Sequence, residues 1–211
     1  MEDVLDLYQR PADPLRPLVC LDELSTQLLA DVRPPQPPAP GRPARQEAEY
    51  ERHGVANVFM CYEPLAGWRH TTVTQRRTRQ DWACIIKDLV DVRYPDAERI
   101  VLVQDNLNTH TLGSLYAAFT PEEAHRLAHK LELHFTPKHG SWLNMAEIEL
   151  SSLRRQCLNR RIPSVPTLTR EVAAWEARRN AFGGTVDWRF TTADARIRLK
   201  HLYPIQSIQV S

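Results

Sequence analysis

Residues 99–110 read Arg-Ile-Val-Leu-Val-Gln-Asp-Asn-Leu-Asn-Thr-His. Ile100 to Val103 is an unbroken apolar run, the pattern of a strand at the centre of a sheet covered on both faces. The run stops just before Asp105-Asn106, so an acid stands where a buried strand ends. Asp and Asn favour corners, and the pair reads equally well as ordinary turn chemistry. Against that, ligands of α/β sheets bind at the carboxyl ends of strands, which is where Asp105 is expected.

Upstream, Leu18 to Leu21 reads as a second buried strand closed by Asp22, with the neighbouring Glu23 able to serve in its place. Val55 to Tyr62 and Trp68 to Thr74 read as a hairpin interrupted at 63–67. Between 81 and 94 the apolar positions 82, 85, 86, 89, 90 and 92 recur at helical spacing, and Pro95 ends the helix. Downstream, 115–130 is helical with a restart at Thr120-Pro121, where Thr caps and Pro takes the first helical position. Residues 131–135 form another strand and 136–140 a turn.

Ser141 is the expected N-cap of a helix from 142 to about 159, whose Leu143, Ala146, Leu150, Leu153 and Cys157 form one buried stripe. A further helix over 167–180 ends at Gly183-Gly184, and a last one covers 192–203. This order predicts an α/β fold with a mixed sheet flanked by helices. It is read as a single domain over 1–211, with a Pro-rich loop at 33–45 and a helical C-terminal part at 166–211.

The helix after Ser141 carries the remaining acids. Glu147 and Glu149 flank its buried stripe on opposite sides. Helical geometry puts Asn144, Ser151 and Arg154 beside Glu147, and Ser152 and Gln156 beside Glu149. Both acids also read as solvated side chains. Three carboxylates from Asp22, Asp105 and this helix are what two hard divalent cations need, because Mg²⁺ and Mn²⁺ prefer oxygen ligands. Two such ions about 3.5–4 Å apart serve in-line phosphoryl displacement, which points to cutting and joining of nucleic acid.

Charge is consistent with that direction. Residues 138–211 hold 12 Lys and Arg against 6 Asp and Glu, whereas 1–137 hold 15 against 20. A basic part beside an acid-rich one suits a protein that grips phosphates with one surface and metals with another, although Arg-rich helices also simply show a solvated face. No apolar run approaches membrane-spanning length. The acidic start, 1–13, has no signal-peptide core, so the product is expected in the cytoplasm, nucleoid-associated. Cys20, Cys61, Cys84 and Cys157 form no Cys-x-x-Cys pair and are expected reduced and mostly buried.

Other features read more plainly. Six of the 16 prolines fall in 33–43, an extended spacer or an arm offering Arg33, Arg42 and Arg45 to DNA or a partner; the spacer is favoured. His125 and His129 lie one turn apart but lack a third ligand in a suitable context, so a surface pair is expected rather than a zinc site. His110 and His139 stand near the acidic motifs, where they could touch phosphate, orient a water or only hold structure. The tryptophans are expected in the core, with Trp142 beside the acidic helix the exception to watch.

Taken together, Cys-Leu-Asp-Glu at 20–23, Val-Leu-Val-Gln-Asp-Asn-Leu-Asn-Thr-His at 101–110, Phe-Thr-Pro-Lys-His-Gly-Ser-Trp-Leu-Asn-Met-Ala-Glu at 135–147 and the tail at 188–197 resemble a known family. It is the bacterial insertion-sequence transposases of the mariner-type superfamily, in their acidic-triad DDE endonuclease domain. The resemblance covers nearly the whole chain. It implies a ribonuclease-H-like fold and a catalytic, metal-binding triad of Asp22, Asp105 and Glu147, the Asn-x-x-Glu pattern choosing Glu147 over Glu149. Two Mg²⁺ or Mn²⁺ ions are implied, with Asp22 and Asp105 sharing them and Glu147 completing one sphere. The implied reaction is hydrolysis at the element's ends, then attack of the freed 3′-hydroxyl on target DNA, commonly at a TA step.

Lys138, His139, Arg154 and Arg155 are candidate DNA contacts by position, and Asn106, His110 and Asn144 possible accessories. Double-stranded DNA is the expected partner and a homodimer the expected assembly. Three departures stand out. The family's N-terminal helix-turn-helix modules are absent, so the chain reads as one product of a split gene, whose separate N-terminal product binds DNA, or as a remnant. Many relatives have a Lys where this chain has Leu24-Ser25-Thr26, and the interval from Asp105 to Glu147 is longer than in animal members. A catalytically silent DNA-binding or multimerising remnant, and another ribonuclease-H-like nuclease acting on RNA hybrids or junctions, are the alternatives.

Overall fold

A computed structural model describes residues 1–33, 36–43 and 48–203. Its sheet contains β1 (Leu18–Asp31), β2 (Tyr50–Glu63), β3 (Trp68–Thr74), β4 (Ile100–Gln104) and β5 (Leu131–Phe135), in the order β3-β2-β1-β4-β5. The first three strands pair antiparallel. β4 joins β1, and β5 joins β4, in parallel. The sheet is therefore mixed, as the element order predicts.

Strand periodicity separates two apolar layers. Cys20, Val58, Met60, Val101 and Val103 face one side, against α1 (Glu2–Leu7), α5 (Ala146–Gln156), α6 (Val165–Phe182) and α7 (Thr192–Arg198). Val19, Leu21, Phe59, Ile100 and Leu102 face the other, against α2 (Arg79–Asp88), α3 (Leu112–Ala118) and α4 (Pro121–His129). With both faces of β4 covered, the unbroken apolar run at its centre is explained. No helix among the described residues is long and apolar enough to cross a membrane.

Several boundaries differ from expectation. β1 does not close at Asp22 but continues to Asp31, because β2 pairs along its whole length, from Cys20↔Tyr62 to Asp31↔Tyr50. Its pairing with β4 reaches only Cys20↔Val103, so β1 projects beyond the end of its parallel neighbour. One turn of π-helix, Leu89–Arg93, finishes α2. α1 had no counterpart in the sequence reading; its Val4, Leu5 and Leu7 are buried.

The helix expected from 142 begins at Ala146. Ser141 opens a short 3₁₀ turn over Ser141–Leu143, and Asn144 adopts an extended conformation (φ −83°, ψ 109°) that separates the two. Thr120, Ser164 and Thr191 cap α4, α6 and α7 through their hydroxyls, and Gly183 ends α6 in the left-handed region at φ 64°. Where the Pro-rich segment leaves and rejoins the sheet, Arg161 binds the Asp31 carboxylate at 2.7 Å and the Glu49 carbonyl at 2.9 Å. Within it, Gly41 turns at φ 75° between the bridged Ala39 and Arg42. Arg45 lies outside the described residues.

Candidate active site

The β1–β4 register places the first acid and stops short of the second. Cys20 pairs with Val103 as the last β1–β4 pair; Asp22 and Asp105 each follow two residues later, Asp105 beyond the end of β4, and its charge acts on Asp22. Two residues preserve the face in a strand. Cys20 and Val103 both belong to the layer against α5, and the register therefore directs Asp22 towards the helix that carries Glu147 in its first turn. Asp22, Glu23, Glu147, Ser151 and Arg154 line a common cavity of about 170 Å³. The expectation that Ser151 and Arg154 share the side of Glu147 holds. Asn144 instead precedes the helix: its amide donates to the Leu21 carbonyl at 2.8 Å, and its side-chain oxygen accepts from the Ala146 N–H at 3.1 Å. It ties the start of α5 to the strand just before Asp22.

Burial pushes the Asp22 carboxyl up to about 7, and the neighbouring charges of Glu23, Glu147 and Asp105 add to the shift against the Glu23 N–H, which binds its Oδ1. A carboxyl with a raised folded-state pKa binds protons more tightly in the native protein than in the unfolded chain. Its contribution to stability is complete below the ordinary carboxylate pKa and is lost as pH rises through about 7. The metal-free protein is therefore expected to melt at a lower temperature at pH 8 than at pH 5.5, with Asp22→Asn flattening that slope. Thermal melts across this range check it; an equal slope in both proteins would contradict the assignment.

Asp105 is held from behind. The His110 Nδ1–H donates to Asp105 Oδ1 at 2.6 Å, and His110 Nε2 lies 3.6 Å from Glu23 Oε2. His110 is 1% exposed and Glu23 2% at the side chain, and neither of those inner atoms has a hydrogen-bond partner. The outer oxygen of Glu23 accepts from Arg77 at 2.9 Å. His110 is further fixed because Gln104 donates to its carbonyl and Trp82 donates to Gln104, each at 2.9 Å. The Trp82 ring stacks on the imidazole.

Glu149 departs from the solvated reading. It is 2% exposed and accepts from Arg179 at 2.6 Å, while Arg69 Nε lies 3.0 Å from its other oxygen. Arg69 is itself fully buried and also donates to the Gly184 carbonyl at 3.1 Å. Glu149 thus joins α5, α6 and β3 and faces away from the other acids. An arginine in a strand otherwise led by Trp and Thr was the only sequence signal for this pairing.

The basic candidates divide. Lys138 and His139, with Asp105, Asn106 and Ser141, line a cleft of about 450 Å³ beside the acids. His139 has φ 62°, a conformation that bulky residues adopt rarely. Arg154 opens onto the acidic cavity, whereas Arg155, the next residue, lines a separate cleft between α5 and α6 with Arg160 and Arg178. Trp142 is 44% exposed and stacks on Trp188 with Phe190 at its edge, unlike the buried Trp82 and Trp175. His125 and His129 form an exposed pair, Nε2 to Nε2 at 2.9 Å. Cys84 is the one exposed thiol among the four cysteines.

Among the described residues no three His, Cys, Asp or Glu side chains stand close enough to hold an ion between them. Asp22, Asp105 and Glu147 share an electrostatic field without forming a finished cage. Their donor set nevertheless suits a hard divalent cation: all are carboxylate oxygens, and Asp22, whose carboxyl is raised first by burial and then by the charges of Glu23, Glu147 and Asp105, is one whose ionised form a cation would stabilise.

A family described as DDE superfamily endonuclease matches residues 17–169. No curated protein matches the chain. Among solved structures, the Mos1 mariner paired-end complex with Mn is similar at 18% identity and a TM-score of 0.55, over 84% of this chain and 52% of that one. The Mos1 strand transfer complex gives 17% and 0.53, over 83% and 51%. A pre-cleavage Mos1 transpososome gives 16% and 0.55, over 89% and 61%. The likeness establishes the ribonuclease-H-like fold, and the chain spans between 51% and 61% of the length of these structures.

Proposed function

The chain belongs to the DDE superfamily of endonucleases, and from that premise we propose that it is the catalytic domain of a bacterial insertion-sequence transposase of the mariner type. Its catalytic and metal-binding residues in this reading are Asp22, Asp105 and Glu147. One observation carries the proposal: Asp22 and Glu147, distant in sequence, line one cavity, and the charges of Glu147 and Asp105 both act on Asp22. That the similar Mos1 structures include a paired-end complex with Mn and a strand transfer complex supports the same direction.

The chemistry supplied by two bound Mg²⁺ or Mn²⁺ ions would be activation of a water or 3′-hydroxyl and relief of charge on the leaving oxygen in an in-line displacement. The protein's own part is positional. In this reading Asp22 and Asp105 would offer the first two carboxylates, Glu147 the third from the helix, and Arg154, on the same cavity as Asp22 and Glu147, would meet a phosphate oxygen. Lys138 and His139 extend that contact along the neighbouring cleft. Hydrolysis would occur at the element's ends and joining at target DNA, commonly a TA step. A homodimer and a separate N-terminal DNA-binding product belong to the same proposal.

A Mn²⁺ soak of crystals, recorded at the anomalous edge, tests the site. Density between Asp22, Asp105 and Glu147 is expected, in the free protein or once duplex DNA is bound. Absence of a peak in both would favour the silent DNA-binding remnant. DNA affinity should also fall steeply with salt, since each neutralised phosphate adds about 0.9 to the log–log slope in duplex DNA. Fluorescence anisotropy between about 50 and 200 mM salt measures it, and Lys138→Ala and Arg154→Ala should each reduce the slope by about 1. A slope unchanged in both would remove these residues from the DNA face.

A further inference from the structure

We infer that His110 and Glu23 form a positioning pair for Asp105: Glu23 braces the imidazole, and the imidazole fixes which way the Asp105 carboxylate faces. The inference rests on the metal-site reading above and adds two residues to it.

The geometry supplies three reasons. First, His110 is fixed at Nδ1, at its ring face and at its backbone, which leaves only Nε2 for Glu23. Its Nδ1–H holds Asp105 Oδ1 at 2.6 Å, its ring lies against Trp82, and its carbonyl is held by Gln104. Second, Asp105 otherwise sits beyond the end of β4, in a segment without regular structure, so its ladder does not orient it. The imidazole does so, and no hydrogen bond to Asp105 Oδ2 occurs among the described residues, leaving that oxygen for a ligand. Third, a carboxylate buried beside the acidic cluster is costly unless it serves something. Glu23 is held in place by Arg77 on one oxygen and presents the other, without a hydrogen-bond partner, at 3.6 Å from His110 Nε2. Partners that orient a metal-ligating group in this way change metal affinity by about 10–100-fold when removed.

Three replacements at one position separate the roles. Asn places its amide nitrogen where Nδ1 stands and keeps the Asp105 contact. Gln reaches towards Glu23 instead, and Ala keeps neither. Mn²⁺ binding is measured by calorimetry and by electron paramagnetic resonance, beside thermal melts and the DNA-cleavage rate at varied DNA concentration. His110→Ala is expected to weaken Mn²⁺ binding about 10–100-fold and to lower kcat with little change in KM for DNA. His110→Asn should recover most of both, His110→Gln little, and Glu23→Gln should fall between Ala and wild type.

Should His110→Ala fail to fold, the comparison of Asn with Gln carries the test. Equal Mn²⁺ affinity in the Asn and Gln variants would overturn the inference, as would wild-type affinity in Ala. In either case the metal site itself would stand. Wild-type protein that binds no Mn²⁺, with or without DNA, would instead remove the metal-site reading and this inference with it.

Discussion

Asp105→Asn is expected to abolish metal-dependent DNA cleavage, by at least about 10³-fold, while folding and DNA affinity stay close to wild type. The size follows from what is lost. A bound cation contributes several kcal/mol of charge stabilisation in phosphoryl displacement, and each 1.36 kcal/mol is a factor of ten in rate. Losing about 4 kcal/mol of that effect gives the stated factor. The fold should survive because Asn fills the same volume and its amide oxygen can still accept the His110 Nδ1–H that Asp105 accepts now. DNA affinity should survive because phosphate contacts, not this carboxylate, supply non-specific binding. A supercoiled-plasmid nicking assay with Mg²⁺ or Mn²⁺, paired with anisotropy on the same preparations, separates the two. Unchanged nicking would remove Asp105 from the centre; lost binding together with lost nicking would point to a folding defect.

The second large effect is on stability and contrasts two acids two positions apart on α5. Glu149→Ala is expected to cost about 3–5 kcal/mol, the loss typical of leaving a buried charge without its partner. Arg69 would be that orphan, since it is fully buried with Glu149 as its acid. Against a typical domain stability of about 5–15 kcal/mol, this would leave the fold marginal. Glu147→Gln, at a half-buried position lining the acidic cavity, should cost little stability and instead remove cleavage. Urea unfolding of both variants beside their nicking rates gives a double dissociation. If Glu149→Ala melts like wild type, the buried Arg69–Glu149 pair is not the tie described here. If Glu147→Gln cleaves normally, the third acid of the proposed triad is wrong.

These two acids also show where sequence reading reaches its limit. Both follow the same buried stripe, and helical spacing alone gives either one a solvated role. Burial of Glu149 depends on Arg69 of β3 and Arg179 of α6, which lie far from it in sequence. Beyond the arginine within the strand at 68–74, no local pattern announces such a pairing. The same holds for Glu23 and His110, whose meeting depends on how the loop after β4 folds back over β1. Ser141 illustrates the opposite error. A good capping residue at an attractive position lost to Asn144, whose side chain binds across to β1 and holds the backbone extended.

What the sequence determined by itself was local. The unbroken apolar run at 100–103, the turn at 63–67 between the two hairpin strands, the Thr120-Pro121 restart and the glycine stop at 183 each specify an element through its own neighbours, and each element formed there. The position of Asp105 at the end of a buried strand was likewise readable. Which acids meet depends instead on packing between elements. Strand register sets Asp22 towards α5, His110 holds Asp105 beyond the end of β4, the extended residue Asn144 sets where α5 begins, and that start turns Glu147 towards the strands and Glu149 into an ion pair. The physical reason is that hydrogen-bond ladders and helix periods act between near neighbours, whereas a site is made of distances between elements, and those are fixed by packing the two layers onto one sheet.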